Sequence, residues 1–392
     1  MRISAVMGII LCSCLAYIAC GSDDDGGQNP VAADGDINSG AAPGTDGDGN
    51  NAETPNTDSD ADNTETPDAD GIVDITGAFF TNFAANCATY ANCYVSLVVD
   101  VQNGSSFAGN LKITVDGDKC LFASNAIPNH DFNASGNFAT LASAQEVSYE
   151  ISAIPTTAAS VTYLVLGDDA VFLNGVKLDL LAAACYDVGS EPLGRENIGC
   201  GPDQNDNPWR YDPMSPLNNF GTDEHNAHTQ PDGTYHYHGN PMAMFETDCA
   251  TGTASPVIGF AADGFPIYGT CFDDNGTVRK VLPSYQLKMG GGAREDVSGY
   301  TTPVGGRGSV ASSNYDGQFR GDYEYVGGSG DLDGCNGMMV NGQYGYFVTD
   351  AYPWVWGCYS GTPDGSFSMA MGPPRQLARR FSIFTDGFRY IR

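Results

Sequence analysis

Four of the five histidines in the chain lie within fourteen positions of one another, in the stretch HNAHTQPDGTYHYHGNP over residues 225–241. These four are His225, His228, His236 and His238, and the fifth is His130. Imidazole is the commonest metal-ligating side chain and the group that titrates nearest neutral pH. So dense a cluster in a histidine-poor chain predicts a transition-metal site.

The spacing of these histidines indicates how they would meet. His236 and His238 are two residues apart, so on an extended strand both side chains leave the same face, with Tyr235 and Tyr237 on the other. Residues 230–233, Gln-Pro-Asp-Gly, have the chemistry of a turn that would fold the preceding residues back onto that strand. We therefore predict that His228 joins the pair, that His130 comes from a distant loop or lies behind the ligands, and that His225 ranks lowest.

The donor set favours certain metals. Three imidazoles with one open position suit zinc or copper better than Mg²⁺ or Ca²⁺, which prefer oxygen. Met242 and Met244 follow closely, and a thioether would move the choice slightly toward copper. The alternative interpretation is that the histidines are hydrogen-bond donors that hold loops together and that both methionines belong to the core.

Charge limits the partners. The 392-residue chain has a formal net charge of −31, which argues against nucleic acid as a partner because that binding depends on Lys and Arg. Residues 21–70 alone carry 12 Asp and 2 Glu, with no Lys, Arg or aromatic residue. Such a segment cannot bury enough apolar surface to fold, so we expect a disordered acidic linker.

The N-terminus has the features of an export signal. A single Arg precedes an apolar run from Ile3 to about Ala19, and Cys20 then stands directly before the hydrophilic linker. This arrangement resembles the lipobox of bacterial lipoproteins, which implies residues 1–20 as signal peptide and Cys20 as the lipidated residue. We expect a protein anchored by lipid to the outer membrane or cell surface, with the periplasm as the alternative.

Nine cysteines remain beyond the export segment, scattered and without a CxxC pair. In an exported protein such cysteines are typical of disulfides rather than of a thiolate zinc site. Proximity alone suggests Cys249 with Cys271 and Cys335 with Cys358. The odd number predicts at most four disulfides and one further thiol.

From residue 71 onward, short β-branched and aromatic runs alternate with Gly, Asn, Asp and Pro. The runs are residues 93–101, 111–117, 146–151, 160–166 and 170–178, followed by 235–238, 257–261, 265–268 and 344–349. Each is typical of a strand. We predict one mainly β domain over residues 71–392, all-β or β-rich α+β, with long Gly/Pro-rich loops and disulfides. Residues 374–384 are a weak helix candidate.

Two motifs, AHTQPDGTYHYHG at residues 227–239 and GFAADGFPIYG at residues 259–269, resemble the YHYH domain family of secreted and lipoprotein bacterial proteins. The similarity extends over about residues 110–363, including the segment SNAIPNHDF that contains His130. The family has no established biochemical activity, so the resemblance implies a domain without implying a reaction.

The matched segments also contain oxygen groups that could complete a site. They are Asp263, Tyr268, Asp322, Asp331 and Asp333. Each is a candidate for a fourth ligand, a partner of an imidazole N–H, or a base for metal-bound water. The alternative for each aspartate is turn capping beside glycine.

Two classes of function follow from the sequence. The first is an anchored extracytoplasmic domain with a histidine site for copper or zinc, used in metal handling or metal-dependent catalysis. The second is a structural or adhesive surface lipoprotein without a metal. Because no catalytic signature such as HExxH or G-x-S-x-G is present, the sequence leaves open whether the protein is an enzyme.

Overall fold

The computed structural model describes residues 71–189 and 200–368. Within these ranges the regular structure is made of strands and short 3₁₀ helices, with no α-helix, which confirms the predicted β-rich class. The strands are β1 (Ile72–Asp74), β2 (Asn92–Asp100), β3 (Ser105–Asp116), β4 (Lys119–Ser124), β5 (Val147–Ser152), β6 (Thr162–Tyr163), β7 (Ala170–Phe172), β8 (Lys177–Leu178), β9 (Ala227–Thr229), β10 (Tyr235–Tyr237), β11 (Val257–Ala261), β12 (Pro266–Tyr268), β13 (Cys271–Asp274), β14 (Thr277–Lys280), β15 (Tyr285–Leu287), β16 (Tyr323–Tyr325), β17 (Gly337–Val340), β18 (Gln343–Phe347) and β19 (Cys358–Tyr359). The 3₁₀ helices are Cys87–Tyr90, Pro202–Gln204, Cys249–Thr251, Lys288–Gly290, Arg320–Asp322 and Gly365–Phe367.

Three sequence predictions fall outside the described residues. They concern Cys20 and the export segment, the linker over residues 21–70, and the helix candidate at residues 374–384. Within residues 71–189 and 200–368, no helix is long and apolar enough to cross a membrane.

The first sheet has five strands in the order β1-β2-β3-β4-β5. Its centre is the antiparallel pair β2 and β3, in register from Asn92 opposite Ile113 to Asp100 opposite Ser105. Along β2, Val98 is buried and Leu97 is 66% exposed. This alternation is expected of an antiparallel sheet that covers a core with one face and meets water with the other.

The second sheet has eight strands in the order β17-β18-β12-β11-β7-β8-β10-β9. All five residues of the central strand β11 are buried, as expected of a strand covered on both faces. At one end of the sheet, β10 pairs in parallel with β8 and antiparallel with β9. This three-stranded end carries the clustered histidines.

One hydrophobic core joins the two sheets. Phe122 of the first sheet packs against Phe260 of the second, with ring centroids 6.1 Å apart, and Tyr90 meets the same Phe260 ring at 5.7 Å. A smaller cluster surrounds Phe319, which contacts Tyr211 at 4.7 Å between ring centroids. The loops between residues 182 and 319 thus have a core of their own.

Four disulfides join two described cysteines each: Cys87–Cys120, Cys185–Cys200, Cys249–Cys271 and Cys335–Cys358. The last two are the pairs predicted from proximity, and both are confirmed. Cys93 is also disulfide-bonded, so the prediction that one of the nine cysteines stays outside a disulfide is wrong.

Two predicted strands differ from the structure. Residues 170–178 form a hairpin of β7 and β8 rather than one strand, because Gly175 turns the chain at a φ of +81° and its N–H donates to the Phe172 carbonyl at 2.9 Å. The Asn174-Gly175 pair is a strong hairpin signal that hydrophobicity alone obscures. Of residues 160–166 only β6, Thr162–Tyr163, is a strand.

Candidate metal centre

The β9–β10 hairpin positions the histidines as the turn chemistry predicts. The Gly233 N–H donates to the Gln230 carbonyl at 2.8 Å, and the Asp232 carboxylate accepts from the backbone and hydroxyl of Thr234 at 3.0 and 2.7 Å. Gly233 itself has a φ of +90°, which glycine adopts without strain. The resulting antiparallel register places His228 directly opposite His236.

Three imidazole rings converge on one face of this hairpin. Nε2 of His238 lies 3.0 Å from Nε2 of His228 and 3.1 Å from Nε2 of His236. One ligating nitrogen from each ring lies within 4.8 Å of the other two. His236 and His238 are 2% and 4% exposed, and His228 is half-buried at the edge strand. The structure therefore brings together the three residues that the spacing selected.

Backbone carbonyls orient two of the rings from behind. Nδ1 of His228 lies 2.5 Å from the Phe220 carbonyl, and Nδ1 of His236 lies 3.3 Å from the Thr234 carbonyl. A carbonyl only accepts, so each of these Nδ1 atoms carries the proton and each Nε2 presents a lone pair to the centre of the cluster. This is the tautomer in which metal-bound histidines are usually held.

Burial keeps the imidazoles uncharged. The pKa of His236 lies well below its usual range because of burial first, and then because of the adjacent His238 and His228 rings and the Lys177 ammonium. The pKa of His238 is lowered in the same way by burial and by His228, against the opposing effect of the Asp179 backbone. Burial also lowers the pKa of His228. Neutral imidazole is the form that ligates metals.

The other two histidines lie away from this cluster. His130 packs against the tyrosine face of β10: its Nε2 lies 2.6 Å from the Tyr237 hydroxyl and its Nδ1 lies 2.8 Å from the Asp131 carbonyl. Both ring nitrogens are thus engaged, and burial lowers the pKa of His130 to about 3. The His225 ring stacks on His130 at 4.0 Å between centroids. Neither residue is among the converging ligand groups: His225 was ranked lowest, and His130, expected from a distant loop or behind the ligands, contacts Tyr237 on the other face of β10.

Comparison of the sequence with known protein families identifies the family of this chain. Residues 148–361, more than half of the chain, match the sequence model of the family described as YHYH protein. The chain belongs to the YHYH family. The match contains His228, His236 and His238 but begins after His130, so it is shorter than the similarity inferred from the sequence. No curated protein and no solved structure matches the chain.

Two of the oxygen groups predicted as site residues, Asp263 and Tyr268, make contacts within the YHYH domain near the ends of strands. The Asp263 carboxylate accepts from the Tyr346 hydroxyl at 2.6 Å and from the Gly361 N–H at 2.9 Å, and burial raises its pKa to about 6. The Tyr268 ring stacks on Phe347 with centroids 5.2 Å apart. The Asp263 carboxylate is not among the groups that converge with the histidines.

The other three oxygen groups are also engaged elsewhere. Asp322 accepts two bonds from Arg294, both of 2.8 Å, and Asp331 accepts two from Arg279, of 2.7 and 2.8 Å. Asp333 accepts from the Cys335 N–H at 2.9 Å and from the Gly337 N–H at 3.0 Å. Turn capping, the alternative weighed for these aspartates, describes the contacts of Asp333, whereas Asp322 and Asp331 form ion pairs that the sequence did not predict.

The methionines give copper no structural support. Met244 is fully buried in the core, and Met242 is 40% exposed with a φ of +58°. The choice between copper and zinc therefore rests on the imidazoles alone.

A polar network beside the histidines was not predicted from the sequence. Because β8 pairs in parallel with β10, Lys177 lies opposite His236 and shares its face. The Lys177 ammonium donates to Asp168 at 2.5 Å and to the Gln230 amide oxygen at 3.1 Å, and the Gln230 amide nitrogen donates to Asp179 at 3.1 Å. The sequence could not predict this network because it depends on the pairing of strands about sixty residues apart.

Asp179 is the acidic member of this network. Its Oδ2 accepts from Gln230, whereas its Oδ1 is buried without a hydrogen-bond partner. Burial raises its pKa to about 7, although the Lys177 ammonium acts in the opposite direction. Continuing the β8–β10 register by one residue places Asp179 beside His238, but its carboxylate is not among the groups that converge with the three imidazoles.

Proposed function

We propose that the YHYH domain binds one copper or zinc ion through Nε2 of His228, His236 and His238. The observation that carries this proposal is the convergence of the three Nε2 atoms, at 3.0 and 3.1 Å between neighbours, on a buried face. Metal–nitrogen distances of ~2.0–2.1 Å in tetrahedral geometry require nitrogens roughly 3.3 Å apart. The preformed spacing is close to that requirement.

Hydrogen bonding alone accounts poorly for the same geometry. His228 and His236 hold their protons on Nδ1, so only an Nε2–H of His238 could donate, and it would serve two acceptors with one proton. That tautomer would also leave Nδ1 of His238 as a buried acceptor, and this atom has no hydrogen bond of normal geometry. A cation between the three lone pairs removes the conflict.

A site of three imidazoles leaves a fourth position for water or a small molecule, as catalytic rather than structural zinc sites do. Asp179 lies on the same face of the sheet, next to His238 in the strand register. These features support metal handling or metal-dependent catalysis and do not select a reaction. They favour metal handling and metal-dependent catalysis over the rival proposal of a structural or adhesive lipoprotein.

An exported, lipid-anchored protein is the second part of the proposal. Four disulfides among the described residues are typical of an oxidising compartment, and residues 1–20 resemble a lipoprotein signal ending at Cys20. We place the domain at the bacterial outer membrane or cell surface, with the periplasm as the alternative. The protein would meet its metal outside the cytoplasm.

Elemental analysis tests the metal directly. Protein exported to the periplasm and purified without a histidine tag is expected to contain close to one equivalent of copper or zinc, because the three ligands are preformed. His236→Ala protein, purified in parallel, is expected to contain almost none. Wild-type protein that stays metal-free after supplementation of the growth medium would contradict the proposal.

Metabolic labelling tests the anchor. Radiolabelled palmitate is expected to enter the wild type and to be absent from Cys20→Ser, since thioether lipidation requires that sulfur. Cys14→Ser is the matched control, because it removes a cysteine from the same segment and should leave labelling unchanged. Persistent labelling of Cys20→Ser would exclude Cys20 as the lipidated residue.

A further inference from the structure

A cavity of about 260 Å³ opens beside the 3₁₀ helix Arg320–Asp322. Most of its exposed wall is polar and includes two guanidinium groups, those of Arg210 and Arg320, and a smaller apolar part comes from Leu164, Leu181 and Tyr352. Small-molecule sites are commonly apolar cavities with a few polar groups that orient the ligand. The volume is at the lower end for such sites and suits a small ligand.

Among the described residues, Arg320 interacts electrostatically with Asp212 but forms no ion pair. Its guanidinium carbon lies 5.1 Å from the centre of the Tyr352 ring, and its Nη1 is buried without a hydrogen bond. Among the described residues, no carboxylate oxygen lies within 4.0 Å of it, whereas Arg279 and Arg294 each pair with two aspartates. An unpaired arginine is notable in a chain with a net charge of −31, in which carboxylates are abundant.

Arg210 adds a second positive charge to the same wall. It is 2% exposed and donates to the carbonyl oxygens of Ala182, Cys200 and Gln204, none of which carries a charge. Burial, reinforced by the neighbouring Arg320, lowers the pKa of Arg210 to about 10, so it stays protonated at neutral pH. The two guanidinium groups therefore act on the cavity together.

The nearby acids do not neutralise this pair by direct contact. The Asp212 carboxylate accepts from the Trp354 indole N–H at 2.8 Å and from the Met214 N–H at 3.1 Å, and makes no ion pair with Arg320. Asp206 lines the cavity but is exposed to solvent at its rim. Buried charge that the protein itself leaves unpaired is stabilised when a ligand supplies the opposite charge.

We propose that this cavity binds a small monocarboxylate with an apolar body. A carboxylate matches the fork of a guanidinium group, and the leucine and tyrosine surface matches an apolar ring or chain. Inorganic phosphate would satisfy the charge and leave the apolar wall in contact with water. This site is separate from the three histidines, so the proposal stands independently of the metal.

Calorimetric titration of benzoate into the full chain tests the site. Wild-type protein is expected to bind benzoate at submillimolar to millimolar concentration, and Arg320→Gln to bind it at least about tenfold more weakly, because a charge-assisted hydrogen bond is lost. Arg307→Gln is the matched control, since it removes the same charge from an exposed position. Asp206→Asn is expected to bind benzoate more tightly than the wild type, because a rim carboxylate no longer repels the ligand.

Two further probes, neutral benzamide and inorganic phosphate, test the roles of the charge and of the ring. Benzamide, which keeps the ring and loses the charge, should not bind measurably, and inorganic phosphate should bind more weakly than benzoate. Equal benzoate affinity in the wild type and Arg320→Gln would overturn the site. Absence of binding to the wild type at ~10 mM benzoate would also overturn it. Phosphate binding tighter than benzoate would overturn the monocarboxylate assignment.

Discussion

Replacing His236 or His238 with alanine is expected to lower the affinity for Cu²⁺ and Zn²⁺ by well over ~100-fold. Loss of a residue that only supports a ligand typically costs ~10–100-fold, and removal of a ligand itself should exceed that. His228→Ala is expected to behave in the same way, because its Nε2 lies 3.0 Å from that of His238. Calorimetric or competitive titration of each metal into the full chain gives the affinities.

His225→Ala is the matched control for these three variants. It removes a histidine from the same stretch of sequence, but this ring stacks on His130 rather than meeting the converging Nε2 atoms. Its metal affinity should equal that of the wild type. If all four variants bind metal as the wild type does, the three histidines do not share a metal ion, and their role as hydrogen-bonding groups becomes the better explanation.

Asp322→Asn is expected to lower the free energy of unfolding by about 1–3 kcal/mol, because it removes one of the two counter-charges of the buried Arg294 and leaves only Asp316. Both side chains of this pair are 0% exposed, and Asp322 also accepts from the Gly317 and Phe319 N–H groups at 3.1 Å. Urea denaturation followed by circular dichroism measures the change. Metal affinity should not change, since Asp322 is engaged with Arg294.

Asp331→Asn provides the comparison for this effect. Asp331 pairs with Arg279, but the side chains are 21% and 36% exposed, so solvent screens the interaction and the expected loss is at most ~1 kcal/mol. Both aspartates were candidates for the site in the sequence. Full stability of Asp322→Asn combined with weakened metal binding would show that Asp322 serves the metal after all.

The sequence predicted the core of the candidate site and missed its surroundings. Strand periodicity and one turn were sufficient to bring His228, His236 and His238 together, because both effects act over a few residues. Lys177 and Asp179 could not be found in this way. Their position depends on the parallel pairing of β8 with β10, which connects residues about sixty positions apart.

Sequence patterns by themselves determined the β-rich class, the shared face of His236 and His238, and the two disulfides closed by short loops. Each follows from local chemistry: residue preferences of strands and turns, and cysteines close along the chain. Only the tertiary structure decided that His130 turns to Tyr237, that Asp322 and Asp331 pair with arginines, and that Arg210 and Arg320 share a cavity. These contacts join segments far apart in the chain, and they form because the packing of the entire core, rather than any local preference, sets which buried polar groups meet.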